Sequence, residues 1–183
     1  MREKFIEIYT ENIQRAGADH LLNWLKNSDF FKAPASTRYH GAFEGGLVKH
    51  SVHVYEMLEH ATIEISAETR AVIALIHDLC KVDFYKTDTR NVKNEQTGMW
   101  EKVPYYTVED QLPFGHGEKS VYIINSFIRL TREEAMAINW HMGGFDDRVK
   151  GGNFSLSTVF TQYPLALELH IADMRASFIA EKS

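Results

Sequence analysis

Apolar positions recur along most of this chain at three- and four-residue intervals, the spacing that turns one face of a helix toward a core. Phe5, Ile6, Ile8 and Ile13 predict an amphipathic helix over residues 4–15, and Leu21, Leu22, Trp24 and Leu25 predict a shorter one over 18–26. Pro34, Gly41 and the pair Gly45-Gly46 interrupt the periodicity, so residues 27–46 read as an ordered loop. Helical spacing returns from Leu47 to about Thr62 through Val48, Val52, Tyr55, Met57 and Leu58. Ser66 then suits a helix N-cap, with Glu68 in the first turn where the helix dipole favours a carboxylate. The run Ala71-Val72-Ile73-Ala74-Leu75-Ile76 has no polar face, which places its helix at the centre of the core. That helix runs into His77-Asp78.

The pattern changes between residues 83 and 115. Asn91-Val92-Lys93 and the stretch from Val103 to Val108 are β-prone, and Asn94-Glu95-Gln96-Thr97-Gly98 is a turn signal, so a small hairpin is expected. Pro104 must then occupy an unpaired edge position. Helices resume over 118–129. Thr131 and Glu134 have capping-box spacing and open another helix to about His141. A loop bounded by Gly143-Gly144 and Gly151-Gly152 follows, and Pro164 suits the first turn of a last helix through about Ala180. No repeat or flexible linker interrupts residues 1–183, so one all-α domain carrying an inserted β-hairpin is expected.

Composition narrows the function. Hydrophobic residues make up 44% of the 183 and charged residues 25%, ordinary globular usage. A net charge of −5 argues against a partner of long nucleic acid, and leaves a small phosphorylated substrate only where local positive charge or a metal reverses the sign. One cysteine, Cys80, excludes an intrachain disulfide and suits a reducing compartment. It reads better as a small buried residue than as a thiolate ligand. The charged start, Met1 to Phe5, lacks the apolar core of a secretory signal, and no run approaches the roughly 18 apolar residues of a membrane span. A cytoplasmic location is the expectation, with no membrane partner.

Nine histidines are a surplus, and their settings matter more than their number. An imidazole and a carboxylate at the end of the most apolar helix need partners, because unpaired burial costs roughly 2–7 kcal/mol per polar group. A divalent metal meets that need, since imidazole nitrogen and carboxylate oxygen ligate zinc, iron, manganese, cobalt or nickel. An isolated His-Asp dipeptide is more often an ion pair or a helix-end hydrogen bond. Here it is accompanied by Gly45-Gly46 ahead of His50, then by His116, by Asn139-Trp140-His141 and by Ala172-Asp173.

The order His50, His77-Asp78, His116, His141, Asp173 resembles the HD superfamily of metal-dependent phosphohydrolases, over about residues 40–173. The resemblance implies an HD-type helical bundle in which His50, His77, Asp78 and Asp173 form the core metal site. His116 and His141 match additional histidines of members that hold two metals, with Asp78 as the bridge. One or two divalent ions (Mn, Fe, Co, Ni, Zn or Mg) would then activate a hydroxide for in-line attack on phosphorus and stabilise both attacking and leaving oxygens. Asp78 and Lys81 are the catalytic candidates. Lys81 and Lys119 are candidates for phosphate contact, weighed against a role as solvated surface lysines; Arg148 and Lys150, in the glycine-rich loop, are weaker ones that would close over a substrate. His53 reads as a supporting residue, His170 as a partner of Asp173 or of water, and His40 as a residue of the cleft mouth. Tyr105, Tyr106 and Phe114 form either a base-binding wall or hairpin packing.

The glycine pair before His50 and the extra histidines are similar to the branch that includes bacterial 3′-5′ exoribonucleases. About 45 residues precede that pair, too few and too helical for those proteins' nucleic-acid-binding module. The Gly-Tyr-Pro signature of cyclic-di-GMP phosphodiesterases is absent, the nearest segment reading Met142-Gly143-Gly144-Phe145. A nucleotide phosphomonoesterase or phosphodiesterase is the expectation. The alternatives are a 3′-5′ exonuclease on short oligonucleotides and a non-catalytic nucleotide-binding module. Oligomeric state is open.

Overall fold

The structure is a computed structural model and describes residues 1–181. Among them are nine α-helices and one antiparallel hairpin. The helices are α1 (Arg2–Asn12), α2 (Ala18–Asn27), α3 (Gly46–Met57), α4 (Ala67–Leu75), α5 (His116–Asn125), α6 (Arg132–Trp140), α7 (Asp147–Lys150), α8 (Ser155–Gln162) and α9 (Pro164–Arg175). The expected helical domain with an inserted hairpin is therefore present. No helix of the described residues is long and apolar enough to cross a membrane.

The apolar run of α4 dictates the architecture. Ala71 to Ile76 are fully buried, so the other helices surround α4 instead of lying on one side of it. Helices α1, α3 and α6 pack against it, and α9 closes the bundle over α3 and α6. Ser66 caps α4 as expected, its Oγ accepting from the Thr69 N–H. The helix stops at Leu75, earlier than its apolar pattern suggests. Ile76 leaves helical geometry, and His77-Asp78 occupy the turn before a short 3₁₀ segment, Leu79–Lys81.

A second anchor lies at the opposite end of α6. Thr131 and Glu134 form the predicted capping box. Glu134 is fully buried, yet its carboxylate also accepts from Thr69 Oγ1 and from both terminal nitrogens of Arg15 at 2.8 and 3.0 Å. One carboxylate thus ties the α1–α2 connection, α4 and α6 together. Removing one partner of such a buried pair costs about 3–5 kcal/mol, because the other charge is left uncompensated.

The hairpin pairs β1 (Tyr85–Lys93) with β2 (Trp100–Val108), each strand beginning earlier than the β-prone residues alone indicated and ending where they do. Pro104 faces Thr89 in a sheet of two strands, both of them edges, which resolves the missing N–H. Most of its residues are exposed, and an isolated two-stranded hairpin is marginal in water. Its base is tied down instead. Lys86 pairs with Glu109, and the Lys119 ammonium lies 2.5 Å from Asp110 and over the Phe84 ring.

The largest departure from the sequence pattern follows α6. The glycine-rich stretch contains the short helix α7, capped by Asp146, and α8 precedes Pro164 where no helix was expected. Helix α8 buries Val159 and packs Leu156 and Phe160 partly against the core, an i, i+3, i+4 stripe that is short and lies between a glycine-rich loop and Pro164. Pro164 does open α9, and the chain then widens into a π-turn over Ala176–Ala180.

Helices α5 and α6 approach closely at Gly117, where an added Cβ would lie 2.2 Å from the Asn139 carbonyl oxygen. Gly117→Ala is expected to destabilise the fold by about 1–3 kcal/mol, the usual cost of overpacking. Gly144→Ala meets nothing within 4 Å and is expected to stay within about 0.5 kcal/mol of the parent. Urea unfolding of both variants checks this, and equal midpoints would contradict the packing account.

Candidate metal centre

Two helix ends build the centre by the same device. His77 stands two positions after the last residue of α4, and its Nδ1 lies 2.8 Å from the Ala74 carbonyl oxygen. His141 follows the last residue of α6, and its Nδ1 lies 2.7 Å from the Ile138 carbonyl oxygen. A carbonyl only accepts, so Nδ1 carries the proton in both rings. The terminal carbonyls of each helix lack intrahelical donors, and these imidazoles supply them. The consequence is that each Nε2 presents a lone pair to the interior.

His50 reaches the same place from the middle of α3. Its Nδ1 lies 3.2 Å from Glu181 Oε1, which also lies 3.0 Å from His53 Nδ1. The Nε2 atoms of His50, His77 and His141 are buried and have no hydrogen-bond partner among the described residues. They converge on two carboxylates. His50 Nε2 is 3.1 Å from Asp173 Oδ1 and 3.8 Å from Asp78 Oδ2; His77 Nε2 is 3.4 Å from Asp78 Oδ2. His141 and His116 approach the other Asp78 oxygen, at 3.4 and 2.9 Å.

All six residues of the expected ligand set, His50, His77, Asp78, His116, His141 and Asp173, therefore meet in one cluster. Asp78 stands at its middle, with one oxygen toward His50 and His77 and the other toward His116 and His141. The adjacent pair His77-Asp78 achieves this from a turn, which corrects the expectation that both stand on helix.

Electrostatics give the cluster its sign. Burial outweighs the neighbouring Asp78 and lowers the His77 pKa to about 3, with His141 and His50 adding repulsion, so this ring is neutral. For Asp78 burial works toward protonation, but Lys81 and the His77 and His116 rings hold its pKa well below the ordinary carboxylate value. Burial likewise opposes charge on His50, yet Asp173 and Glu181 raise its pKa to about 9. Three carboxylates thus draw a cation to this spot, and a proton on His50 is the substitute.

The donor set fits a divalent ion. Buried imidazole nitrogens, with the His50 proton displaced by the ion, and ionised carboxylate oxygens are what zinc and its neighbours bind. The groups His50–His77–Asp173 and His77–Asp78–His141 each bring one donor atom per residue to within 4.8 Å of the others.

A cavity of about 930 Å³ adjoins the cluster, with Asp78, His116 and Asp173 at its wall. Lys81 lines it too, its ammonium 2.7 Å from Asp78 Oδ2. The other two expected phosphate contacts are engaged elsewhere. Lys119 is buried against Asp110 and Phe84, and Arg148 is held by Asp146 at 2.7 Å and Glu118 at 2.5 Å over the Trp140 ring. Lys150, like Arg148 a weaker candidate, does line the cavity. The aromatic wall is also different from the one expected. Phe114 stacks on Tyr122 and Tyr105 lies under Arg90, whereas Tyr39, Tyr85, Phe145 and Phe178 face the cavity.

Among the remaining histidines, His40 lines the cavity with its ring 4.9 Å from His50. His170 does not hold Asp173. Its Nδ1 lies 2.6 Å from the His141 carbonyl oxygen, and its ring occupies the space a Cβ on Gly143 would need. Gly143 has φ +53°, so glycine is required there on both counts. Glu181 is the residue that sequence reasoning missed. It lies eight positions after Asp173, beyond the expected helix, and only the π-turn reveals that it returns to His50.

Comparison with protein-family models, with curated proteins and with solved structures finds no match for this chain.

Glu181 orients His50 as a carboxylate commonly orients a metal-binding imidazole, and losing such a partner costs roughly 10–100-fold in metal affinity. Glu181→Gln is accordingly expected to weaken zinc binding by about that factor. Isothermal titration checks it, and affinity equal to the parent's would show that Glu181 only packs.

Proposed function

We propose that this chain is a metal-dependent phosphohydrolase of the HD type, acting on a small phosphate ester of the nucleotide class. The observation that carries this reading is the convergence of three buried, unpartnered imidazole nitrogens on Asp78 and Asp173 at the wall of a large cavity.

In this reading His50, His77, Asp78 and Asp173 hold the first ion, and Asp78, His116 and His141 present donors for a second. The chemistry supplied by bound divalent ions is Lewis acidity, which compensates charge on phosphoryl oxygens and acidifies water. Lys81 has two tasks. It holds Asp78 ionised and in place, and its remaining donors face the cavity, where a phosphate oxygen accepts them. Lys150 adds a second positive charge on the cavity wall. Tyr39, Tyr85, Phe145 and Phe178 offer flat apolar surface to the rest of the ester, which suits a base.

The cavity also explains how substrate choice is separated from the metal chemistry. Tyr85 and Val108 come from the hairpin base, and Phe145 and Lys150 from the segment around α7. Neither segment supplies a member of the cluster. A volume of about 930 Å³ lies within the range of roughly 300–1,000 Å³ usual for small-molecule sites. The net charge of −5 disfavours a long nucleic-acid substrate.

Phosphate release from a panel of nucleoside mono- and diphosphates and cyclic nucleotides, with manganese, cobalt, nickel, zinc or magnesium added, tests the reading. Turnover of one nucleotide class is expected, with loss of both metal and activity in Asp78→Ala. Lys81→Ala is expected to keep its metal and lose about 10²-fold or more in rate, the scale of removing one donor to developing charge. Full activity in Asp78→Ala would refute the assignment. Stoichiometric metal without turnover of any phosphate ester would leave a binding module as the better account.

A further inference from the structure

Cys80 follows Asp78 by two positions and is the only cysteine in the chain. Its Sγ lies 3.4 Å from His116 Nε2, 3.5 Å from His116 Nδ1 and 3.9 Å from Asp78 Oδ1. Asp78 Oδ1 and His116 Nε2 are 2.9 Å apart. The backbone at this point is held independently of the thiol, because the Cys80 N–H donates to Ser120 Oγ at 3.0 Å. A residue serving only to fill space would face apolar neighbours. This thiol is buried against an imidazole and a carboxylate.

The three donor atoms form a triangle with sides of 2.9, 3.4 and 3.9 Å. The point equidistant from its corners lies about 2.0 Å from each, close to the bond lengths of about 2.0–2.2 Å to nitrogen and oxygen and about 2.3 Å to sulfur that zinc adopts. A second, independent observation marks the same Asp78 oxygen. His141 Nε2 is 1% exposed, has no hydrogen-bond partner among the described residues, and stands 3.4 Å from the same Asp78 oxygen.

We propose that Cys80 is a sulfur ligand of the ion held by Asp78 and His116, and that the site therefore selects a thiophilic divalent ion of the zinc, ferrous iron or cobalt type over magnesium. The inference rests on the reading of the cluster as a metal centre. On binding, a metal–sulfur bond forms, the S–H bond breaks and its proton leaves to solvent; no electron changes hands. The reason for the preference is ligand softness. Carboxylate and water suit magnesium, imidazole suits zinc and iron, and thiolate removes magnesium from the competition. Magnesium also demands near-ideal octahedral oxygen coordination and keeps its waters, which a thiol and an imidazole at this spacing do not allow.

The absorption spectrum of the cobalt-loaded protein tests the proposal. With one cysteine in the chain, any sulfur-to-cobalt charge-transfer band in the near ultraviolet reports Cys80 alone. The band is expected in the parent and absent from Cys80→Ser and Cys80→Ala, both of which retain the weaker visible bands of cobalt on nitrogen and oxygen. Zinc affinity in Cys80→Ser is expected to fall by at least the roughly 10–100-fold that loss of a ligand's supporting partner costs, with magnesium affinity little changed. Should either variant fail to fold, zinc X-ray absorption on the parent decides, with a sulfur at about 2.3 Å expected. Visible cobalt bands without charge transfer, or a zinc shell of nitrogen and oxygen only, would overturn the sulfur ligand and leave the metal centre standing. A parent protein that takes up no cobalt or zinc would overturn both.

Discussion

Burying unpaired imidazole nitrogens beside ionised carboxylates is the constraint on which the rest of this structure depends. Each polar group taken from water without a partner costs roughly 2–7 kcal/mol, and three Nε2 atoms carry that cost at one point. The fold accepts it by fixing each ring from its far side. Ala74 and Ile138 supply carbonyls at two helix ends, and Glu181 supplies a carboxylate for the third. The same bonds that satisfy the helix ends decide which nitrogen faces inward, so tautomer and ring orientation are set by secondary structure. That arrangement is costly alone and favourable with a cation at its centre.

The bundle around the cluster follows from this. The buried second half of α4 ends at Leu75, and the turn that follows presents His77 to the Ala74 carbonyl and Asp78 to the cluster. Gly117 lets α5 lie against α6, which brings His116 toward the same Asp78 oxygen as His141. The Arg15–Glu134 pair secures the other ends of α4 and α6, far along the chain from the site's own residues. Substrate-facing elements are kept apart from this frame. The hairpin and the α7 segment reach the cavity only with Tyr85, Val108, Phe145 and Lys150, so they are free to vary without disturbing the cluster.

Much of the architecture was legible in the sequence because it rests on short-range physics. Ser66 and Thr131-Glu134 announced two helix starts through capping chemistry, and the unbroken apolar run of α4 announced a central helix. The six cluster residues were legible as a set by their resemblance to a known order of ligands, not by any one of them. What was hidden depends on tertiary geometry. Helix α8 does carry Leu156, Val159 and Phe160 at helical spacing, but its eight residues lie between a glycine-rich loop and Pro164, which mask so short a stripe. Lys119 and Lys81 follow expected ligands at the same spacing, yet one meets Asp110 in the interior and the other faces the cavity. Glu181 returns to His50 through a π-turn, and no periodicity encodes that turn. Cys80 read as filler because a lone thiol says nothing until its neighbours are known.

The central claim is that the cluster exists to hold metal, and elemental analysis of the parent protein tests it most directly. After loading with zinc, cobalt or manganese and removal of the excess, the account predicts at least one tightly held ion per chain. Stripping with a chelator is predicted to lower the melting temperature, because an ion bound only by the folded state stabilises that state. A protein that retains no metal after loading, and melts at the same temperature with and without it, would contradict the account.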